Sequence, residues 1–450
     1  MKMKNLLLSL LSAILFVVAV AVKIPIFIYF AFVPILIMEN QLLQSKKNFI
    51  VFFRYLILPI FIYTLSTFKF LSYSLSAYII FSLITSIIYA FLLSLFHLFR
   101  EKINNFYGYF IFLGIIISIE RLSLLTDSPL PAIILGNYGY IQLWHSMTGI
   151  IGSSLWILLI NLLIFNIIIT LKPFDIKNFI LGIISLTIVI ALPIFGNFLL
   201  KKQLNKLKPK ANFTVFINNK KSQGSLYSSL NKLAQLTINQ INQIPDYIIL
   251  QTQYLNIKEL FLSDSLKNIY KLLNKSKKGI IIFSNETKTT NLRTLTNNST
   301  TVAYINHGGI EFFSKYSKID RPSILNDSNN IGILLGNDIY NCEKIRPLIL
   351  NYSNFLIFYG KAYPNIIKNI AIQTFETIIS VIDKTVYLPD GTVKKIKNNY
   401  LTISPLKVFT YYVNSGEYIG NLMAFLTILI LIAGFSKMSM NEDILKTIKK

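Results

Sequence analysis

Windows of roughly 17 or more residues that are almost free of charge recur along this chain. As a helix, that length crosses the ~30 Å hydrocarbon core of a bilayer. The windows run approximately over Leu6–Val22, Ile24–Met38, Phe49–Phe68, Ala77–Leu98, Phe106–Ile119, Gly149–Thr170, Phe179–Leu199 and Ile419–Phe435. Seven spans therefore precede a long polar stretch and one follows it. The second and fifth are short, as tilted or partly re-entrant segments are. The bulk numbers agree: of 450 residues 53% are hydrophobic and 14% charged, and the mean hydropathy is +0.54. A soluble fold of this length would carry more charge.

The net charge is +24. Nucleic acid is not the expected partner, because the lysines flank apolar spans and sit on the polar stretch without aromatic interleaving. Anionic lipid head groups suit them better. Lys and Arg placement also sets orientation. With an inside N-terminus, inner loops hold Lys2, Lys4, Lys46, Lys47, Arg100, Lys102, Lys172, Lys177, Lys437, Lys446, Lys449 and Lys450, and short outer loops hold Lys23, Lys69 and Arg121. Both termini are then expected on the cytoplasmic side and the polar domain outside. A cleaved signal peptide ending near Ala19–Ala21 is the alternative for the first span. The domains expected are a membrane domain over 1–199, a polar domain over 200–416, and a last span with a tail over 417–450. One cysteine rules out an internal disulfide. The histidines, His97, His145 and His307, are scattered, so no metal site and no cofactor are expected.

The polar domain reads as α/β. Asn212–Asn218, Asp246–Leu250, Gly279–Ser284, Ile331–Leu335 and Asn354–Gly360 are apolar runs of strand length. Ser225–Ile241 and Asn365–Ser380 carry helical spacing. Thr300–Lys318 reads as a hairpin turning at His307-Gly308-Gly309, and Lys384–Lys397 as one turning on Pro389-Asp390-Gly391. Alternating strands and helices predict layered sheets covered by helices.

The order of parts resembles the apolipoprotein N-acyltransferase family over nearly the whole chain. In the membrane half the likeness rests on Glu120–Phe165, where Glu120, Pro131, Gly136, Gln142, Gly149, Gly152, Trp156 and Asn161 fit; Ala132 stands where the family has tryptophan. Near the end, "YYVNSGEYIGNL" resembles the family's run into its last span. The resemblance implies a multi-span α-helical membrane domain carrying an extracytoplasmic, periplasmic nitrilase-like domain, an αββα sandwich. It also implies a place in the bacterial inner membrane, and phospholipid and lipoprotein N-termini as partners. A protein partner in the envelope is a further expectation.

The family's ping-pong chemistry uses a cysteine thiolate, a glutamate base and a lysine that stabilises the oxyanion. Carried over by motif, Gln251 in "DYIILQTQ" stands at the base position, with Leu250 where proline would be. Lys318 and Tyr316 in "FFSKYSKIDRP" match the Tyr-x-Lys motif, with Lys315 as an alternative register. Gly336-Asn337-Asp338 replaces Cys-Tyr-Glu, so the nucleophile position is Gly336 while Asp338 keeps an acid. "QTFETIIS" keeps Glu376 but places Ile378 and Ile379 where the family has paired arginines. Cys342 would lie on a following helix about 9 Å from the elbow, and Ser317 cannot pair with Lys318, because adjacent strand residues face opposite ways.

Glycine forms no thioester, and glutamine holds no proton near neutral pH. Loss of a triad nucleophile costs on the order of 10⁶ in turnover, about 8 kcal/mol. The expectation is a family member with impaired catalysis, acting as a lipid- or lipoprotein-binding or scaffolding module. The alternatives are an active, divergent N-acyltransferase moving an acyl chain from phospholipid to the N-terminal diacylglyceryl-cysteine of lipoproteins, and an eroding gene.

Overall fold

The computed structural model describes residues 2–448, apart from 69–74, 126–132, 140–142, 172–174, 205, 208–211, 219–233, 253–262, 289–296, 307–308, 315–322, 326–330, 352, 361, 363, 397–398 and 407. The chain forms two compact units. One comprises Met1–Asn205, Ala362–Gln373 and Thr410–Lys450; the other comprises Lys206–Lys361 and Thr374–Phe409.

The first unit is helical: α1 (Lys2–Val20), α2 (Val33–Gln44), α3 (Phe49–Phe68), α4 (Leu75–Lys102), α5 (Asn105–Ser123), α6 (His145–Thr170), α7 (Ile176–Leu204) and a last helix, Tyr418–Ile448. Among the described residues, eight stretches are long and apolar enough to cross a membrane. The second combines a 3-10 turn, Pro25–Tyr29, with α2, so its short apolar window is a broken span. Pro25 and Pro34 each stand in a first turn, where a missing N–H costs nothing. Aromatic rings knit the interior: Phe16 meets Phe32 at 5.1 Å and Tyr63 at 4.8 Å. At one end a buried carboxylate, Glu39, accepts from His97 Nδ1 at 2.9 Å and from Arg100. Arg100 also reaches Asn40 and Asn105 and lies over the Tyr109 ring. Buried charge of this kind survives only when fully partnered.

A short stretch, Ile133–Tyr138, which contains a 3-10 turn over Leu135–Tyr138 and no α-helix, lies inside this unit and is buried. Its backbone is satisfied by side chains from several helices. Tyr63 donates to Ile133 O, Leu135 N donates to Glu120 Oε1 at 2.9 Å, Gly136 N donates to Ser154 Oγ at 2.8 Å, and Asn369 donates to Asn137 O at 3.1 Å. Irregular backbone is tolerated within an apolar interior only when partnered in this way. α6 is interrupted at Gly149 (φ 72°, ψ 176°), where a Cβ would stand 2.7 Å from a Glu417 carboxylate oxygen.

The second unit holds two six-stranded sheets, ordered β12-β1-β2-β3-β4-β5 and β11-β10-β9-β8-β7-β6. The first contains β1 (Phe213–Asn218), β2 (Tyr247–Thr252), β3 (Gly279–Lys288), β4 (Asn297–Asn306), β5 (Gly309–Ser314) and β12 (Tyr400–Ile403). The second contains β6 (Ser323–Leu325), β7 (Ile331–Leu335), β8 (Phe355–Tyr359), β9 (Ile378–Ser380), β10 (Thr385–Tyr387) and β11 (Val393–Lys395). Strands β1, β2 and β3 run parallel, as do β7, β8 and β9. Alternate residues explain the layering. Val215, Ile217, Tyr247, Ile249, Ile281 and Phe283 face Ile333, Leu335, Ile357, Tyr359 and Ile379 in one buried core shared by both sheets. The other face of the first sheet, with Ile248, Leu250, Ile280 and Ile282, is covered by the helix Ser263–Leu273 and by a helix over 234–240. Leu348, on the helix Cys342–Leu350, packs near Gly332 on the other side of the second sheet. The result is an αββα sandwich. Each buried Ile or Phe contributes about 1.5–3 kcal/mol, more than the roughly 0–1 kcal/mol of an exposed ion pair.

One sequence expectation is corrected. Asn365–Ser380 is not a single helix. The helix spans Pro364–Thr374, Phe375 has φ 56°, and Ile378–Ser380 is strand β9. Tertiary packing overrides the helical spacing, because Ile379 belongs to the inter-sheet core and β-branched residues suit a pleated, buried surface. Glu376 therefore lies in the turn between helix and strand. The hairpin at Pro389-Asp390-Gly391 forms as expected. Asp390 Oδ1 accepts from Thr392 N at 2.8 Å, and Gly391 supplies φ 83°.

Candidate functional site

In parallel α/β sheets, ligands collect at the carboxyl ends of the strands. Three such ends matter here. β7 and β8 are parallel neighbours, with Leu335 opposite Tyr359. Each strand is followed at once by glycine, Gly336 and Gly360. A Cβ on Gly360 would lie 3.0 Å from Gly336 Cα, so the two backbones pass closely. Gly336 has φ 55° and opens a 3-10 turn, Gly336–Tyr340. Among the described residues, a Cβ built on Gly336 finds no heavy atom within 4 Å. The elbow is thus a left-handed corner, a conformation that costs glycine little.

Asp338 holds the corner. Its Oδ2 accepts from Leu335 N at 3.0 Å, and the residue is buried. The retained acid therefore closes the turn on itself. Cys342 begins the helix Cys342–Leu350 beyond the turn, and Asn341 caps that helix by accepting from Lys344 N.

The third strand end is β2. By alternation, Gln251 lies on the inner face with Tyr247 and Ile249. Its Nε2 donates to Tyr359 Oη at 3.1 Å. Tyr359 is buried, and its ring stacks on Phe283 at 4.8 Å and 14°. Burial raises the phenol above its ordinary value of 10.0, against a smaller opposing effect of the Gln251 bond. The hydroxyl keeps its proton at neutral pH.

The structure thus brings Gln251, through Tyr359, to the neighbourhood of Gly336 and Asp338. Glu376 is buried in the same unit, next to Phe375. Glu120 belongs to the helical unit, where it holds Leu135 N. Tyr316 and Lys318, with the alternative Lys315, lie outside the described residues. Sequence reasoning missed Tyr359. The available signal was the pair of parallel strands ending in Leu335-Gly336 and Tyr359-Gly360. Among the described residues, no three His, Cys, Asp or Glu side chains gather as a metal site.

No protein-family model matches the sequence, and no curated protein does. Solved structures do show a likeness. An amidase of the nitrilase superfamily from Nesterenkonia, in a cysteine-to-alanine mutant form, is 10% identical over 48% of this chain and 97% of its own, with a TM-score of 0.33. A CN-hydrolase superfamily protein from Xanthomonas campestris is 9% identical over 43% and 91%, with a TM-score of 0.31. The glutamine-dependent NAD+ synthetase of Acinetobacter baumannii is 13% identical over 43% of this chain, with a TM-score of 0.31; this chain spans 45% of its length. Likeness at this level carries no argument about chemistry. The sandwich stands on this chain's own strand order and core: among the described residues, the chain combines eight apolar stretches long enough to cross a membrane with an αββα unit.

Proposed function

We propose that this chain is an inner-membrane protein of the apolipoprotein N-acyltransferase kind whose sandwich no longer performs acyl transfer. It binds or scaffolds phospholipid or lipoprotein N-termini instead. Its termini lie in the cytoplasm and the sandwich in the periplasm, as the lysine placement favours.

The observation that carries the reading is the elbow. Gly336 presents no side chain at the strand end, and the nearby strand-end amide, Gln251, is engaged with Tyr359. A thioester needs a thiolate, and its formation needs a base to take the proton. Neither position supplies one.

The test is a search for an acyl-enzyme. Purified full-length protein is incubated with labelled phospholipid and probed for a hydroxylamine-labile adduct. The expected result is no adduct, with phospholipid or a lipopeptide still bound. A stoichiometric adduct that disappears in Cys342→Ala would overturn the reading and favour the active alternative.

A further inference from the structure

His97 lies near the end of α4 inside the helical unit and is 0% exposed. Both of its ring nitrogens are used. Nδ1 stands 2.9 Å from Glu39 Oε1, and Nε2 stands 2.8 Å from the backbone oxygen of Lys47. A carbonyl oxygen only accepts, so Nε2 carries a hydrogen. Glu39 is a carboxylate, because its other oxygen takes Arg100, and a buried guanidinium needs an anion. Among the described residues, Arg100 has Glu39 alone within ion-pair distance. A carboxylate also only accepts, so Nδ1 carries a hydrogen as well. A neutral imidazole has one N–H, and this pattern needs two. The bonding pattern therefore calls for the imidazolium.

What Nε2 holds is a turn. α2 ends at Gln44 and α3 begins at Phe49. Between them Lys46 is left-handed, with φ 51°. Lys46 N donates to Leu43 O and Lys47 N donates to Leu42 O, each at 3.0 Å. The carbonyl of Lys47 is thereby left for His97. Lys46, Lys47 and Asn48 are exposed, so water can reach that carbonyl when His97 releases it. The charged and ring groups around His97 come from several elements. α2 supplies Glu39, α3 the Phe52 ring at 5.7 Å, and α4 itself Arg100 and Glu101. Tyr109 of α5 lies under the Arg100 guanidinium.

We propose that His97 is a proton-operated latch on the α2–α3 turn. As the imidazolium it ties α4 to Glu39 on one side and to Lys47 O on the other. On losing one proton it keeps the N–H toward Glu39, because a lone pair facing a carboxylate is repelled more than one facing a neutral carbonyl. Nε2 then sets a lone pair against Lys47 O at 2.8 Å, and the turn comes free. The proton passes to water at the exposed turn, and no bond between heavy atoms changes. The latch is independent of what the sandwich binds. In the orientation proposed above, the turn faces the cytoplasm.

The experiment uses the full chain in detergent micelles, with Cys342→Ser and a nitroxide on Asn48→Cys, an exposed position in the turn. Spectra are recorded from about pH 5 to about pH 10, across the range in which an imidazole titrates. A single-proton transition is expected, with the mobile component growing about tenfold or more as pH rises, the loss of one hydrogen bond to a charged donor. His97→Gln has no proton to lose and should give a flat profile. No transition in the His97 chain, or an unchanged one in folded His97→Gln, overturns the proposal. If His97→Gln does not fold, nitrogen-15 NMR of the histidine-labelled chain decides without replacing His97. One imidazole should be doubly protonated at low pH and lose its Nε2 hydrogen, keeping Nδ1–H, as the turn loosens; His145→Gln and His307→Gln assign it by elimination. A His97 that is singly protonated throughout, or that loses Nδ1–H first, overturns the proposal. Because neither readout involves lipid or lipopeptide, failure here leaves the proposed function standing.

Discussion

Replacing Gly336 with cysteine tests both the conformation of the elbow and the reading of the site. The residue has φ 55°, inside the left-handed region, where a side chain costs about 1–2 kcal/mol. The described residues add no steric cost, because none places a heavy atom within 4 Å of a Cβ there. For a folding unit of roughly 150–250 residues, each kcal/mol lowers Tm by about 2–4 °C. Gly336→Cys should therefore melt about 2–8 °C below the parent. Its thiol would have an ordinary pKa of about 8.5, leaving a few per cent thiolate at pH 7. Acylation by a p-nitrophenyl ester should be slow in Gly336→Cys. It should rise about 10²- to 10⁴-fold when Gln251→Glu adds a carboxylate base. Both variants should carry Cys342→Ser, since Cys342 is the only native cysteine, and the adduct is read as a mass increase on the intact chain. A Tm loss above about 16 °C would refute the open corner. A combined variant that labels no faster than Gly336→Cys would refute the placement of Gln251 at the base position.

Three other outcomes follow from the geometry. Gly149→Ala combines a φ/ψ region that only glycine enters with a clash against the Glu417 carboxylate; it should cost more than about 3 kcal/mol, and a parent-like melt in detergent would contradict this. Glu39→Gln leaves Arg100 and His97 without their shared anion and should cost about 3–5 kcal/mol, whereas a loss below about 1 kcal/mol would show the cluster to be solvated. In the sandwich, Tyr359 is raised above 10.0 by burial, and Tyr387 is raised to about 12 by burial and by the nearby Asp383. Both folded values exceed the unfolded one, so their stabilising effect is complete below pH 10 and fades as pH climbs toward 12. Alkaline melts should show that fall, and a Tyr387→Phe chain should fall less; identical profiles would count against it.

The spans were legible because length and apolar composition are local properties. Gly149, read as the start of a span, is where α6 is interrupted. The hairpin at Pro389-Asp390-Gly391 was legible because turn chemistry is local too. The stretch Asn365–Ser380 was misread because its helical spacing is real up to Thr374, while the fate of Ile378 and Ile379 is decided by β8 and by a core assembled from distant strands. The strand Ile331–Leu335 was legible as an apolar run that ends where Gly336 opens a turn. Tyr359 went unnoticed because its meeting with Gln251 joins residues 108 apart in sequence. The partner of Glu120 was equally hidden: a backbone amide at Leu135 leaves no mark in side-chain pattern.

The helix Pro364–Thr374 follows β8 and precedes β9, yet Ala362–Gln373 belongs to the helical unit. There Asn369 holds Asn137, and Gln373 reaches Glu417 at 3.2 Å. The polypeptide thus leaves the helical unit, builds much of the sandwich, returns for twelve residues, and leaves again before its final helix. On the ribosome, α1 to α7 emerge long before these pieces exist. The first seven apolar stretches must wait, with Asn137 lacking Asn369, until more than 160 further residues have been made. A chain truncated anywhere between α7 and Asn369 would hold every early span and still leave that interior incomplete.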